Sequence, residues 1–177
     1  MCIRDRYYAD VLINFAHSKG HPSSGYGGAI KNIAMGCIGP NTRSKIHRLE
    51  FLDDGGRAFQ EALADAFHGV ILNKVGKVYH INYALDIQPT CDCAPWSDIP
   101  IVPDIGILAS TDPVALEKAT LDLINKAPIV PNSIAEQANI KEGEDKFTKI
   151  HGINPYIQVE ALAKKGLGSL DYKLVMV

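Results

Sequence analysis

Between Arg57 and Asn73 the apolar pairs Ala58/Phe59, Ala62/Leu63, Ala66/Phe67 and Val70/Ile71 recur every four residues, and from Val78 to Ile87 the period drops to two. The first recurrence lays one continuous stripe along a helix; strict alternation divides a strand into two faces. Asp53-Asp54-Gly55-Gly56 supplies the turn before the helix and Gly76 stops it. On the strand, Tyr79, Ile81, Tyr83, Leu85 and Ile87 share an apolar face, while His80, Asn82 and Asp86 share a polar one that points toward the end carrying Cys91. That polar face is a candidate site, with an edge or solvent face the reading for His80 and a site role for Asp86. The same grammar continues on either side. Val11 to Ala16 reads as a buried strand feeding a loop, and Gly28 to Met35 as a short helix closed by Gly36. Ile105 to Ala109 reads as a second buried strand running into Ser110-Thr111-Asp112-Pro113. There Asp112 caps a helix that reaches about Lys126, and Pro113 fits its first turn. Asn154-Pro155 repeats that chemistry before a last helix through Lys165, ended by Gly166. Tyr172 to Val177 reads as a closing strand and Lys141 to Lys146 as a charged, solvated loop. Strands alternating with helices long enough to serve as crossovers define an α/β fold, a mixed or mostly parallel sheet flanked by helices in layers.

A chain of 177 residues, 46% hydrophobic, buries enough surface for one core without disulfides or a structural metal. Its apolar runs are short and broken by charge, well under the roughly 20 residues that span a bilayer. A formal net charge of -2 and a pI near 6.3 give no general electrostatic case for nucleic acid or an anionic membrane surface. Met1-Cys2-Ile3-Arg4-Asp5-Arg6 has neither the order of a secretory signal nor a structural period, and it looks like a translated sequencing-library adapter. On that reading residues 7–177 form a single α/β domain, the C-terminal part of a longer protein, and Cys2 takes no part in its chemistry. The remaining Cys37, Cys91 and Cys93 do not form a secreted disulfide framework, which points to a reducing, cytoplasmic compartment.

Chemistry concentrates in two places. In His17-Ser-Lys19-Gly-His21, followed by Gly25-Tyr-Gly27-Gly28-Ala-Ile-Lys31-Asn32, two histidines and two lysines flank a glycine-rich turn at a strand's carboxyl end. Ligands sit at such ends of α/β folds, and Gly27-Gly28 entering a helix could aim free N–H groups at an anion. The run matches neither the P-loop nor the dinucleotide fingerprint, and a turn needed only for its backbone angles is the alternative. In Cys91-Asp92-Cys93 two thiolates on one side of an extended segment could grip a soft metal ion, with Cys37, His17 or His21 as further ligands. The alternative there is a pair of reduced, semi-buried thiols. Among the nearby carboxylates Asp112 is explained by helix capping and Asp98 belongs to a Pro-stiffened loop. Asp104 has no such explanation and stands as a candidate acid, base or cation ligand.

Taken together, His17-x-Lys-Gly-His21, Gly25-Tyr-Gly-Gly-Ala-Ile-Lys-Asn32, Met35-Gly-Cys37, Cys91-Asp-Cys93, Pro103-Asp-Ile-Gly-Ile-Leu-Ala-Ser110 and Asp112-Pro-Val-Ala115 resemble the domain of unknown function family 362. The likeness runs from about Ala9 through Gly166-Leu-Gly168 to Tyr172-Lys-Leu-Val175. The resemblance implies an iron-sulfur association, since many relatives carry a ferredoxin-like insertion with two cysteine-rich cluster motifs. This chain departs from them: Ile38 to Asp54 holds no C-x-x-C-x-x-C run. The resemblance carries over a site region of His17, Lys19, His21, Lys31, Asn32, Cys91, Cys93 and Asp104, with no reaction attached.

The expectation is an enzyme domain, redox-linked, binding a soft transition metal, an iron-sulfur cluster or an anionic cofactor. Cys37, Cys91 and Cys93 are the metal candidates. His17 and His21 are ligands or proton carriers beside Lys19 and Asp104, while Gly27, Gly28, Lys31 and Asn32 face the cofactor. A small-molecule or anionic ligand and a redox partner protein are the expected partners. The alternative is a non-catalytic phosphate- or nucleotide-binding accessory domain.

Overall fold

The computed structural model describes residues 3–177. In chain order these form α1 (Ile3–Tyr8), β1 (Leu12–His17), β2 (Lys19–His21), β3 (Gly25–Gly27), α2 (Ala29–Gly36), α3 (Pro40–His47), α4 (Arg57–Ile71), β4 (Val78–Ala84), β5 (Gly106–Ser110), α5 (Pro113–Lys126), α6 (Ile134–Gln137), α7 (Lys146–His151) and α8 (Tyr156–Lys164), with a 3-10 turn at Arg48–Phe51. The main sheet has the order β1-β4-β5, β1 parallel to β4 and β4 antiparallel to β5; β2 and β3 make a separate hairpin. The architecture is therefore α/β with a mixed sheet. No helix among the described residues is long and apolar enough to cross a membrane.

Helices α2, α4 and α5 pack on one face of the sheet, and α8 lies against α4 and α5. The four-residue stripe of α4 puts Phe59, Leu63 and Phe67 in the core, where they meet Ile30 and Ile33 of α2 and Val159 and Leu162 of α8. The Asp112 side chain accepts the Ala115 N–H at 2.8 Å and Pro113 opens α5, as the sequence predicts. Asn154 Oδ1 accepts the Tyr156 N–H at 2.9 Å ahead of α8.

The faces of the sheet are the reverse of the sequence expectation. His80 is 1% exposed and Asn82 fully buried, while Ile13 of β1 is 67% and Phe15 57% exposed. With Tyr79 and Ile107, Ile13 and Phe15 form an exposed apolar face that no helix among the described residues covers. Alternation reveals the period of a strand but not which face is covered. Most of the polar face is buried on partners from distant sequence, while Asn82 Oδ1 meets none among the described residues. Asn14 Nδ2 donates to Ala29 O (2.9 Å) and to His80 Nδ1 (3.0 Å), and Asn82 Nδ2 donates to Glu117 Oε2 (3.1 Å) and Thr120 Oγ1 (3.0 Å). β1 and β5 are accordingly half-buried strands, not buried ones.

Other expectations are corrected too. Asp86 has left the sheet, with φ of +49°, and does not share a face with His80. Residues 172–177 form no strand; Tyr172 instead donates its hydroxyl to Asp122 Oδ2 at 2.9 Å. Lys146, expected in a solvated loop, is buried at the start of α7 and donates from Nζ to Asn125 O at 2.6 Å. Part of the N-terminal hexapeptide is helical, in α1, and Arg6 Nη1 donates to Gly36 O at 2.9 Å. Cys2 lies outside the described residues.

Candidate metal centre

The loop after β1 does not remain a loop. It folds into the β2–β3 hairpin, which carries Lys19, Gly20 and His21 over the start of the segment leading to the cysteines. Gly20 N donates to Gln88 O at 2.8 Å, and a Cβ on Gly20 would stand 1.9 Å from Pro89 O. His151 Nε2, from α7, also donates to Pro89 O at 2.7 Å. Backbone thus meets backbone at Gly20 and Pro89, and this brings together His21, the next residue after Gly20, and Cys91, two residues after Pro89.

His21, Cys91 and Cys93 each offer a ligand atom, all within 4.8 Å of one another. Tetrahedral ligands at 2.0–2.3 Å from a metal stand about 3.5–4 Å apart, so closing this set requires a contraction of about 1 Å. Burial, reinforced by Lys31, His151, Lys19 and His47, lowers the His21 imidazole to about 3. It is therefore neutral at pH 7, the form a metal requires. Ser23 N donates to His21 Nδ1 at 3.2 Å. Ligation through either nitrogen releases this weak bond, because Nδ1 either gives its lone pair to the metal or takes up the ring proton. Lys31 Nζ lies 3.9 Å from Cys91 Sγ, and Cys93 N 3.5 Å from the same sulfur. Burial pushes the Cys93 thiol up, and the Cys91 sulfur beside it adds to the shift.

The other sequence candidates divide by location. Asp92, between the two cysteines, turns its carboxylate away to accept from His17 Nδ1 at 3.0 Å and from Lys19 Nζ at 3.1 Å. Burial alone would raise this carboxyl, but Lys19 and then His17 outweigh it and hold it below the usual range. The second nitrogen of His17 faces Leu85 O (3.0 Å) and Asp86 O (3.1 Å). With both nitrogens engaged, His17 fastens the cysteine loop to the end of β1 and is not in the ligand group. Lys19 shares that clasp. Cys37, at the C-terminal end of α2, lines different clefts, one with Arg6 and Leu12, and is not in the group either. Asp104 Oδ1 accepts the Asp86 N–H at 2.8 Å and braces the exit of β4; it lines neither cleft beside the cysteines.

One of those clefts, of about 350 Å³, is lined by Lys19, His21, Gly27, Gly28, Lys31, Asn32, Arg43, His47 and Cys93. Asn32 Nδ2 donates to Asn14 Oδ1 at 2.8 Å, which joins the cleft wall to the buried polar network. Beneath the floor, Glu117 Oε1 accepts the Ile30 N–H at 2.7 Å, so part of the α2 N-terminus is already met by the protein's own carboxylate. A Cβ on Gly28 would stand 2.3 Å from Tyr26 Oη and 2.5 Å from Glu117 Oε2. Burial raises both Glu117 and Tyr26 above their ordinary values. Arg43, His47, Glu117, Tyr26 and His151 escaped the sequence reading. Arg43 and His47 were legible in principle, as a basic i,i+4 pair on a helix opened by Gly39-Pro40.

Fold and site define an α/β domain in which an imidazole and two thiols meet beside a cationic cleft. The family model described as "Domain of unknown function (DUF362)" matches residues 2–122, and the chain belongs to that family. The match spans the hairpin, the cysteines and most of α5; α6 to α8 lie beyond it. Comparison with curated proteins and with solved structures returned no match. Among the described residues the group offers two thiols and one imidazole, where a ferredoxin-type cluster takes four thiolates.

Proposed function

We propose that this is a metal-dependent enzyme domain whose centre is a soft metal ion held by Cys91, Cys93 and His21, with redox-linked chemistry. The observation that carries the reading is the convergence of these donors from two segments whose backbones touch at Gly20 and Pro89. A mixed thiolate and imidazole set selects zinc, copper(I), nickel or iron over magnesium or calcium. Three protein ligands leave a fourth position open, as in catalytic rather than structural zinc sites. The ion would supply Lewis acidity or, where its valence can change, an electron site served by a redox partner protein. The chain's own residues do the rest: His21 stays neutral, Lys31 offsets thiolate charge at Cys91, and the His17–Asp92–Lys19 clasp fixes the cysteine loop. Unpaired thiols at Cys37, Cys91 and Cys93 suit a reducing compartment such as the cytoplasm.

Elemental analysis of protein purified without added metal tests the proposal. About one equivalent of zinc, iron or nickel is expected, falling below about a tenth in the double variant Cys91→Ser/Cys93→Ser at unchanged circular dichroism. Wild-type protein free of metal that still binds phosphate would overturn it in favour of a non-catalytic phosphate- or nucleotide-binding domain.

A further inference from the structure

We propose that the cleft beside the cysteine pair binds the oxyanion group, phosphate or carboxylate, of a small substrate. The inference rests on the metal reading only in placing that anion next to an open coordination position.

Charge segregation is the first support. The chain carries 20 acidic and 18 basic residues, yet among the described residues Lys19, Lys31 and Arg43 line this cleft and no carboxylate does. Lys19 is paired with Asp92 and the His47 imidazole with Glu50 Oε1 at 2.8 Å, and the positive charge offered to an anion is that of Lys31 and Arg43. The nearest acid in sequence, Asp92, directs its carboxylate at His17 and Lys19. Lysine and arginine grouped on a concave wall raise the local concentration of anions, and arginine matches the planar or tetrahedral oxyanion geometry. Access is the second support. Gly27 and Gly28 present bare backbone on the floor, and Gly28 can carry no side chain because Tyr26 and Glu117 stand behind it. Glu117 also takes the Ile30 N–H, so binding here falls chiefly to side chains rather than to the helix end. The third support is position and size. Cys93 and His21 belong both to the cleft lining and to the ligand group, so an anion held by Lys31 and Arg43 would stand next to any metal these two residues hold. About 350 Å³ is at the small end of ligand pockets, suited to a compact metabolite.

The test uses the full chain loaded with cobalt(II), with inorganic phosphate and succinate titrated in separate arms. Saturable shifts of the cobalt absorption bands are expected with one of the two anions, and the responding arm identifies phosphate or carboxylate as the group recognised. Arg43→Met should weaken that anion at least about tenfold while retaining cobalt, Lys31→Met should weaken it at least as much when measured at cobalt saturation, and added potassium chloride should weaken it further. Calorimetry on the metal-free protein separates the two ideas. If cobalt does not bind but phosphate or succinate still does, dependent on Lys31, the metal reading fails and the anion subsite stands. If cobalt binds and neither anion registers, or both variants bind it as wild type does, the anion subsite is overturned.

Discussion

Gly20→Ala is expected to dismantle the metal centre without touching a ligand. The new methyl would stand 1.9 Å from Pro89 O, 2.6 Å from Pro89 C and 2.9 Å from His151 Nε2, so a backbone rather than a flexible side-chain tip must yield. Displacing it breaks the Gly20 N–H bond to Gln88 O and strains the His151 bond to Pro89 O, the two ties that set His21 opposite Cys91. Overpacking a closed backbone contact costs about 1–3 kcal/mol, and a ligand shift near 1 Å abolishes tight coordination. Metal affinity should fall by about 100-fold or more, measured by chelator competition, in a chain that still unfolds cooperatively in urea. Gly69→Ala is the control: its methyl meets nothing within 4 Å inside α4, so stability should rise by about 0.5–1 kcal/mol with metal affinity unchanged. Equal metal affinity in Gly20→Ala and wild type would show that the hairpin contact does not position the site.

The second large effect is acid sensitivity from the inverted sheet face. Burial lowers the His80 imidazole from 6.5 to about 4, only partly opposed by Asp112. Folded His80 is neutral, accepting from Asn14 and stacked on Phe67 at 5.6 Å. The unfolded chain takes up its proton near pH 6.5 and the folded chain only near 4, so the contribution is intact above about pH 6.5 and lost as pH falls toward 4. One proton of difference corresponds to a slope of about 1.4 kcal/mol per pH unit, or about 3 kcal/mol across the window. His21, lowered to about 3, acts in the same direction, while Glu117, raised by burial, acts in the opposite one. Against a total stability of about 5–15 kcal/mol this is a large fraction. Urea unfolding from pH 7 to 4 should show the steep decline, and His80→Gln should flatten it by about one proton. A wild-type profile level between pH 6.5 and 4.5 would mean that His80 is not buried neutral against α4.

How much of this was legible in the sequence depends on how local each cause is. The α4 stripe and the Asp112-Pro113 start of α5 are set by residues within a few positions of one another, and both appear where the sequence places them. The short helices α3, α6 and α7 were not legible. α3 reads Pro-Asn-Thr-Arg-Ser-Lys-Ile-His, with Ile46 its single buried residue, and owes its helicity to packing. The burial of His80 and Asn82 could not be read from alternation, because their partners Asn14 and Glu117 lie far away in the chain. In the site, the residue types of His21, Cys91 and Cys93 were informative, yet their spacing could not show that they meet. The backbone contact at Gly20 brings them together, and it leaves no sequence signal beyond a glycine. His17 and Lys19 read as ligand and anion binder because the role of Asp92 between the cysteines was not visible; in the fold that carboxylate engages both.

X-ray absorption at the zinc edge, on the full chain loaded with about one equivalent of zinc, tests the central claim most directly. Two sulfurs at about 2.3 Å, one imidazole nitrogen at about 2.0–2.1 Å and one further light atom are expected, with the sulfur shell absent in Cys91→Ser/Cys93→Ser. A first shell of nitrogen and oxygen alone, or one of four sulfurs drawn from two molecules, would contradict it.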